Sequence, residues 1–77
     1  MTNESILKAY INDAYIELEK LEVQMLDVFD TYEYLESHGL NASHLLLKIS
    51  TLEDEISMMK ETILEYTHQL KKLEGGN

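Results

Sequence analysis

Histidine and acidic side chains are the groups of this 77-residue chain that could bind a metal or transfer a proton. Glu65 and His68 have the Glu-x-x-His spacing of di-iron helical bundles, in which both ligands project into the bundle core. In the heptad pattern described below, these two residues occupy the outward positions c and f. His38 and His44 flank a predicted loop, but two histidines without a third ligand make a weak metal site. The sequence therefore predicts no bound metal.

Catalytic signatures are also missing from the sequence. It has no glycine-rich phosphate loop, no nucleophile elbow and no His-Glu-x-x-His motif. Its many carboxylates follow no pattern that indicates a concave pocket, the setting in which a carboxyl pKa is tuned for catalysis. We therefore expect a protein that is not an enzyme, with no catalytic residues and no cofactor.

Two long apolar patterns, separated by a glycine, account for most of the chain. Proline is absent, and glycine occurs only at positions 39, 75 and 76. Within each segment apolar residues recur in alternating steps of three and four, the spacing of a coiled-coil seam, whereas strands need a period of two. The predicted seam comprises Leu7, Ile11, Ala14, Leu18, Leu21, Met25, Val28, Tyr32 and Leu35, then Ala42, Leu45, Ile49, Leu52, Ile56, Met59, Ile63, Tyr66, Leu70 and Leu73. Seam residues alternate between positions a and d of the seven-residue repeat, with the seam isoleucines and Leu18 at position a, and the remaining positions are lettered b, c, e, f and g in chain order.

The break between the two segments predicts a tight turn. Gly39 suits the left-handed position that ends a helix, and Leu40 follows it, where it can pack back on Leu35. Asn41 is a good N-cap for the second helix. A connection this short usually joins antiparallel neighbours.

These signals predict an all-α fold, an antiparallel two-helix hairpin of the coiled-coil type. One domain should cover residues 1–77. The first helix should span about 4–38, the loop 39–41 and the second helix about 42–74, with a frayed tail at 75–77.

Antiparallel packing predicts which residues meet across the hairpin. Met25 should lie beside Ile56 and Leu18 beside Ile63, to within about half a heptad. A competing signal is the capping box at Ser50, which could begin a helix there. Because the seam continues on both sides of Ser50, we expect the second helix to run through it.

Apolar residues outside the seam predict a binding surface. Leu26 and Phe29 lie at positions b and e of the first helix, and Leu46 and Leu47 lie at e and f of the second. All four fall in the half of each helix nearest the loop. Exposed, they would form an apolar patch of the kind that marks an interface. The alternative is that they only widen the hairpin's own core.

We expect this patch to join two hairpins into a homodimer, a four-helix bundle, with a tetramer as the alternative. The remaining off-seam apolar residues are scattered, and they give weaker support because single exposed apolar residues are normal. They are Tyr10, Tyr15, Ile16, Val23 and Leu64. Of these, Tyr15 is included with Leu26, Phe29, Leu46 and Leu47 among the predicted partner-binding residues.

The charge of the chain restricts the partners that it can bind. Fifteen acidic residues against six lysines, with no arginine, give a formal net charge of −9. Such a surface repels phosphate backbones and anionic lipid, and no apolar run is long enough to span a bilayer. We expect no direct nucleic-acid binding and no membrane association, whereas a basic protein partner would fit the charge.

Most of the negative charge belongs to the first helix, where nine acids before Gly39 are opposed by two lysines. Four of these acids could form an acidic face that mimics a nucleic-acid backbone: Asp27, Asp30, Glu33 and Glu36. The alternative is a solvated coiled-coil exterior. We favour the latter because charge runs on helices are commonly only that.

The function that these observations predict is a non-enzymatic protein-interaction module: a small acidic coiled-coil regulator, adaptor or assembly factor that binds its partner by helix packing. The alternative is an acidic inhibitor that mimics nucleic acid and blocks a basic, nucleic-acid-binding protein. The start of the sequence lacks the basic leader and apolar core of a signal peptide, and the absence of cysteine fits a reducing compartment. We therefore expect a cytoplasmic location.

Overall fold

Two long α-helices make up almost all of the structure, a computed structural model that describes residues 2–75. Helix α1 spans Asn3–Ser37 and helix α2 spans Ser43–Gly75. Both helices begin and end within one residue of the bounds expected from the sequence. The described residues include no strand.

Local signals at the start of α1 explain where it begins. Thr2 is the N-cap, with an extended backbone, and its side-chain oxygen accepts a 3.1 Å hydrogen bond from the backbone N–H of Ser5. Glu4 lies in the first turn, where a negative charge is favourable to the helix dipole. The N-cap hydrogen bond and the charge of Glu4 therefore both favour a helix that begins at Asn3.

The end of α1 is a Schellman motif, as the sequence predicts. Gly39 has φ +69°, the left-handed conformation in which glycine carries no steric cost. The backbone N–H of Leu40 donates to the carbonyl of Leu35 at 2.9 Å, and that of Gly39 donates to the carbonyl of Glu36 at 3.1 Å. These bonds satisfy carbonyls that would otherwise lack a partner at a helix end.

The start of α2 depends on Asn41. Its side-chain oxygen accepts a 3.0 Å hydrogen bond from the backbone N–H of Ser43, the first residue of α2. The carbonyl of Ala42 accepts from the N–H of Leu45 at 3.0 Å. Asn41 thus accepts a hydrogen bond from the first turn of α2, but it lies one residue before the N-cap position that was predicted for it, because α2 begins at Ser43 and not at Ala42.

The core lies along the seam. Eight apolar residues of the described chain are buried, and every one occupies a predicted seam position: Ala14, Leu21, Met25, Val28, Ala42, Ile49, Leu52 and Ile63. The largest cluster joins Leu21, Met25 and Val28 of α1 to Ile49 and Leu52 of α2. The prediction of two helices packed through a continuous apolar seam is therefore confirmed.

Contacts at the open end of the hairpin show that the helices are antiparallel. Lys8 Nζ lies 3.7 Å from a carboxylate oxygen of Glu74, and the rings of Tyr10 and Tyr66 have centroids 5.7 Å apart. Near the middle, Ile56 packs against the cluster that contains Met25, as the register predicts. The expected pairing of Leu18 with Ile63 stays a prediction.

Two further expectations concern α2. The helix continues through Ser50 without a break, so the capping box there does not begin a new helix. Gly75, expected in a frayed tail at 75–77, is the last residue of α2, one residue beyond the expected helix end, and the fraying itself stays a prediction. The helical hydrogen bonds of the last turn extend one residue further than glycine's low helix propensity suggests. Residues 76 and 77 lie outside the described part of the chain.

The hairpin is long and thin. Its principal dimensions are 58 × 18 × 14 Å, and its radius of gyration is 17.5 Å, whereas a globular domain of this length has about 11.5 Å. Within the described part of the chain, no side chain is less than 2% exposed. A single layer of two helices therefore leaves even its core partly open to solvent.

Candidate functional site

The residues with metal-binding potential do not converge in the structure. Glu65 and His68 are both exposed, in agreement with their outward heptad positions. Among residues 2–75, no group of three or more histidine or acidic side chains could hold a metal ion. The structure therefore gives Glu65 and His68 no inward site of the kind that a di-iron bundle requires.

His38 has a structural role at the end of α1. Its Nδ1 lies 2.8 Å from the carbonyl oxygen of Tyr34, and the two rings stack with centroids 4.2 Å apart. Because a carbonyl oxygen only accepts hydrogen bonds, Nδ1 carries the proton in this contact. His38 thus satisfies one of the last carbonyls of the helix, while His44 is exposed in the first turn of α2.

The four off-seam residues that we call the loop-end patch are exposed. They are Leu26, Phe29, Leu46 and Leu47, with exposed fractions from 39% for Phe29 to 77% for Leu47. The alternative in which these residues only widen the hairpin's own core does not hold for a single hairpin. Their burial would require a second surface.

Position e of α1 and position e of α2 lie on the same flank of the hairpin. The contact between Lys8 and Glu74 shows this, because both residues occupy e positions. Phe29 and Leu46 are also at e, so they share this flank, which we call the e flank. The patch therefore has contributions from both helices on one side of the molecule.

The opposite flank, which contains the g positions, has a different character. Glu17, Glu55 and Thr62 line a shallow depression there, beside Met58. Tyr10 also lies at g, and its ring packs against Tyr66. Both flanks hold many polar residues, but the e positions include Tyr15, Phe29 and Leu46. Tyr10 is the one apolar residue at a g position of the two helices, so the g flank is the less suited to apolar packing.

Tyr15, Ile16 and Val23 extend the e flank along α1, although they are scattered in the sequence. An α-helix turns about 100° per residue, and on this basis Tyr15, Ile16 and Val23 fall within a sector of roughly 140° that also contains Leu26 and Phe29. All five are exposed. We call them the α1 stripe. Plotting the exposed positions of the first helix by angle, rather than by distance from the loop, would have revealed it from sequence.

The four acids of the predicted acidic face do not lie on one side of α1. Asp27, Asp30, Glu33 and Glu36 are all exposed. They follow one another at intervals of three residues, so each lies about 60° back around the helix from the one before. Asp27 and Glu36 consequently point to opposite sides of α1, and the four carboxylates wind around half of its circumference.

Two side chains at the ends of α1 have raised pKa values. Hydrogen bonding to Glu4, reinforced by the charges of Glu4 and Glu74, raises the pKa of Lys8. Hydrogen bonding to the Glu36 carboxylate, with partial burial, raises the pKa of Tyr32. Both groups are solvent-accessible, so these contacts stabilise the structure only weakly; those to Glu4 and Glu36 lie within α1, and only the contact of Lys8 with Glu74 joins the two helices.

The remaining surface includes shallow, open depressions. One lies at the open end, lined by Leu7 and Leu73, and another lies on the outer side of α1, between Ile16 and Val23.

Neither α1 nor α2 is long and apolar enough to cross a membrane. No protein-family model matches the chain, and no curated protein or solved structure shows significant similarity to it.

Proposed function

We propose that the protein is a non-enzymatic interaction module, a small acidic coiled-coil regulator, adaptor or assembly factor that binds its partner by helix packing. One observation carries the proposal: among the described residues, thirteen large apolar side chains are exposed and only eight apolar residues are buried. More large apolar side chains are therefore exposed than apolar residues are buried, although others along the seam are half-buried. Exposed apolar surface of this extent is characteristic of interaction sites.

The loop-end patch is the strongest part of this surface. Fully burying a leucine or phenylalanine side chain contributes about 1.5–3 kcal/mol. The patch holds three leucines and Phe29, while the thin core of the hairpin gives limited stability by itself. Covering the patch would therefore stabilise the fold and hold a partner through the same residues. Tyr15 extends this surface along α1.

We propose further that two copies pair through this patch into a four-helix bundle. Sedimentation equilibrium at micromolar concentration should give twice the monomer mass. Phe29→Asp should lower the dimer population, because an unpaired carboxylate would be buried in the interface. Met58→Asp, an equal change on the opposite flank, should leave the dimer intact. A stable, folded monomer of the unmodified chain would overturn the dimer.

The proposal also covers where the protein is located and how its partner is bound. A cysteine-free chain fits the reducing cytoplasm, where we place the protein. Partners captured by the immobilised chain should survive high salt, because apolar burial is not screened as exposed charge pairs are. Loss of all partners at high salt, with recovery of nucleic-acid-binding proteins at low salt, would instead favour the acidic mimic of nucleic acid.

A further inference from the structure

The sector of α1 that contains the α1 stripe has an unusually restricted composition. Between residues 15 and 33 it holds nine residues, and all nine are exposed. Five are the apolar members of the stripe, and the other four are acids: Glu19, Glu22, Asp30 and Glu33. Lys20, the one lysine of this segment, turns about 40° beyond the edge of the sector. This sector of α1 therefore combines apolar anchors with negative charge, while the e positions of α2 on the same flank include Glu53 and Lys60.

The dimensions of the sector match one helix. Residues 15–33 of a straight helix span roughly 27 Å, the length of about five helical turns in a partner. Apolar residues recur along it about once per turn, beginning at Tyr15 and ending at Phe29, with a gap at Glu19. This spacing is suited to a second helix that presents anchors three or four residues apart.

A second copy of this chain is a poor occupant of the stripe. The midpoint of the stripe is Glu22, so a two-fold axis there would set Glu22 against its own symmetry mate. It would also bring Glu19 of each copy close to acids of the other. Like charges facing one another across an interface are strongly disfavoured.

We infer that the α1 stripe binds an amphipathic helix of a different protein, with apolar residues in its centre and lysine or arginine on its flanks. The apolar residues of that helix pack on Ile16, Val23 and Leu26, and its basic residues lie beside Glu19, Glu22, Asp30 and Glu33. This inference rests on the proposed function and assigns the chemistry of the partner. Leu26 and Phe29 belong both to the stripe and to the loop-end patch, so the partner helix and a second copy of the chain compete for them, whereas Ile16 and Val23 lie outside the patch.

The test uses a synthetic, fluorescently labelled peptide of roughly 19 residues, the length that covers the sector. The peptide carries leucines along one face and lysines on both flanks, and its comparator carries glutamates in place of the lysines. Fluorescence anisotropy with the full chain should show binding of the lysine peptide and no binding of the glutamate peptide. Equal affinity for the two peptides would overturn the inference.

Val23→Glu separates apolar packing from attraction by charge alone. The substitution adds a negative charge, so a purely electrostatic complex with a basic peptide would become tighter. If the valine is an apolar anchor, the affinity should instead fall by at least roughly tenfold. Met58→Glu adds the same charge on the other flank and should not weaken binding. Equal affinity of the two variants would contradict the stripe.

Circular dichroism and sedimentation of the same samples keep the outcomes distinct. Both substitutions replace exposed residues in helices and raise helix propensity or leave it similar, so both variants should fold. If the peptide fails to bind while Phe29→Asp still disrupts the dimer, only the inference about the stripe fails. If the unmodified chain neither binds the peptide nor associates with itself, the proposed function fails as well.

Discussion

The backbone N–H of Leu40 donates a 2.9 Å hydrogen bond to the carbonyl of Leu35, across the glycine that ends α1. This bond spans the turn between the helices and holds the last carbonyls of α1 in a defined geometry. With the hydrogen bond from Ser43 to Asn41, it leaves little freedom in the connection. One bond between backbone groups and one to the Asn41 side chain therefore restrict the connection between the helices.

Gly39→Ala should destabilise the hairpin by about 1 kcal/mol. A Cβ at position 39 meets no atom within 4 Å, so the cost arises from the positive φ and not from a clash. Urea unfolding followed by circular dichroism at a fixed protein concentration measures the change. A free energy of unfolding equal to that of the unmodified chain would show that the left-handed conformation is not required.

Gly75→Ala is the matched control, because Gly75 lies at the helical end of α2 and a Cβ there also meets open space. It should leave stability unchanged or raise it slightly. If the turn also positions Phe29 and Leu46, Gly39→Ala should weaken self-association more than its folded fraction explains. Equal affinity per folded molecule in the two variants would place the interface away from the loop.

Leu52 should be among the most costly seam residues to truncate. It is 4% exposed and belongs to the central cluster, so Leu52→Ala should cost about 2–5 kcal/mol. Leu64→Ala removes the same atoms from a 70% exposed position of α2 and should change stability by less than about 0.5 kcal/mol. Thermal unfolding of both variants at one concentration checks the difference. Similar losses would indicate that Leu64 is also covered, for example in the dimer.

The ring of Tyr10 should stabilise the open end. It packs against Tyr66 at 5.7 Å, and aromatic pairs contribute about 0.5–1.5 kcal/mol beyond their buried area. Tyr10→Leu should lose that amount in urea unfolding. Tyr15→Leu, the same change on the e flank, should alter the free energy of unfolding by less. A smaller effect at Tyr10 than at Tyr15 would contradict the pairing.

Alkaline pH should weaken the fold through Tyr32 and Lys8. Both pKa values are raised in the folded chain, from 10.0 for Tyr32 and 10.5 for Lys8, so folding favours the protonated form of each. Their contributions are present at neutral pH and are lost as the pH rises above about 10. Urea unfolding between about pH 9 and pH 11 should show the decline. Tyr32→Phe should make it shallower, and an unchanged slope would exclude Tyr32 as a source.

The seam could be predicted because it depends on periodicity alone. Every buried residue of the described chain follows the three-four spacing, and the turn residues at Gly39 and Asn41 have conformational preferences that neighbours do not override. Antiparallel packing followed from the shortness of the turn. Helix ends are harder to predict, because they depend on single hydrogen bonds of small energy. Gly75, for example, was expected just beyond the second helix and is the last residue of α2.

Surface features were harder to predict, because they depend on which exposed residues share a side. Tyr15, Ile16 and Val23 lie apart from the other apolar residues when distance from the loop is the measure, but they align with Leu26 and Phe29 once the turn of the helix is followed. Likewise, four acids close in sequence suggest one face, whereas a three-residue interval spreads Asp27 and Glu36 to opposite sides. Exposure of the loop-end patch required the packed hairpin to be known.

The slenderness of the hairpin affects how the molecule tumbles. A rod 58 Å long and at most 18 Å wide rotates much more slowly about its short axes than about its long one. The amide N–H bonds of both helices lie nearly parallel to the long axis, so their nuclear relaxation should report the slow end-over-end rotation almost uniformly. In size-exclusion chromatography a monomer of this shape would elute early and could be mistaken for a compact dimer.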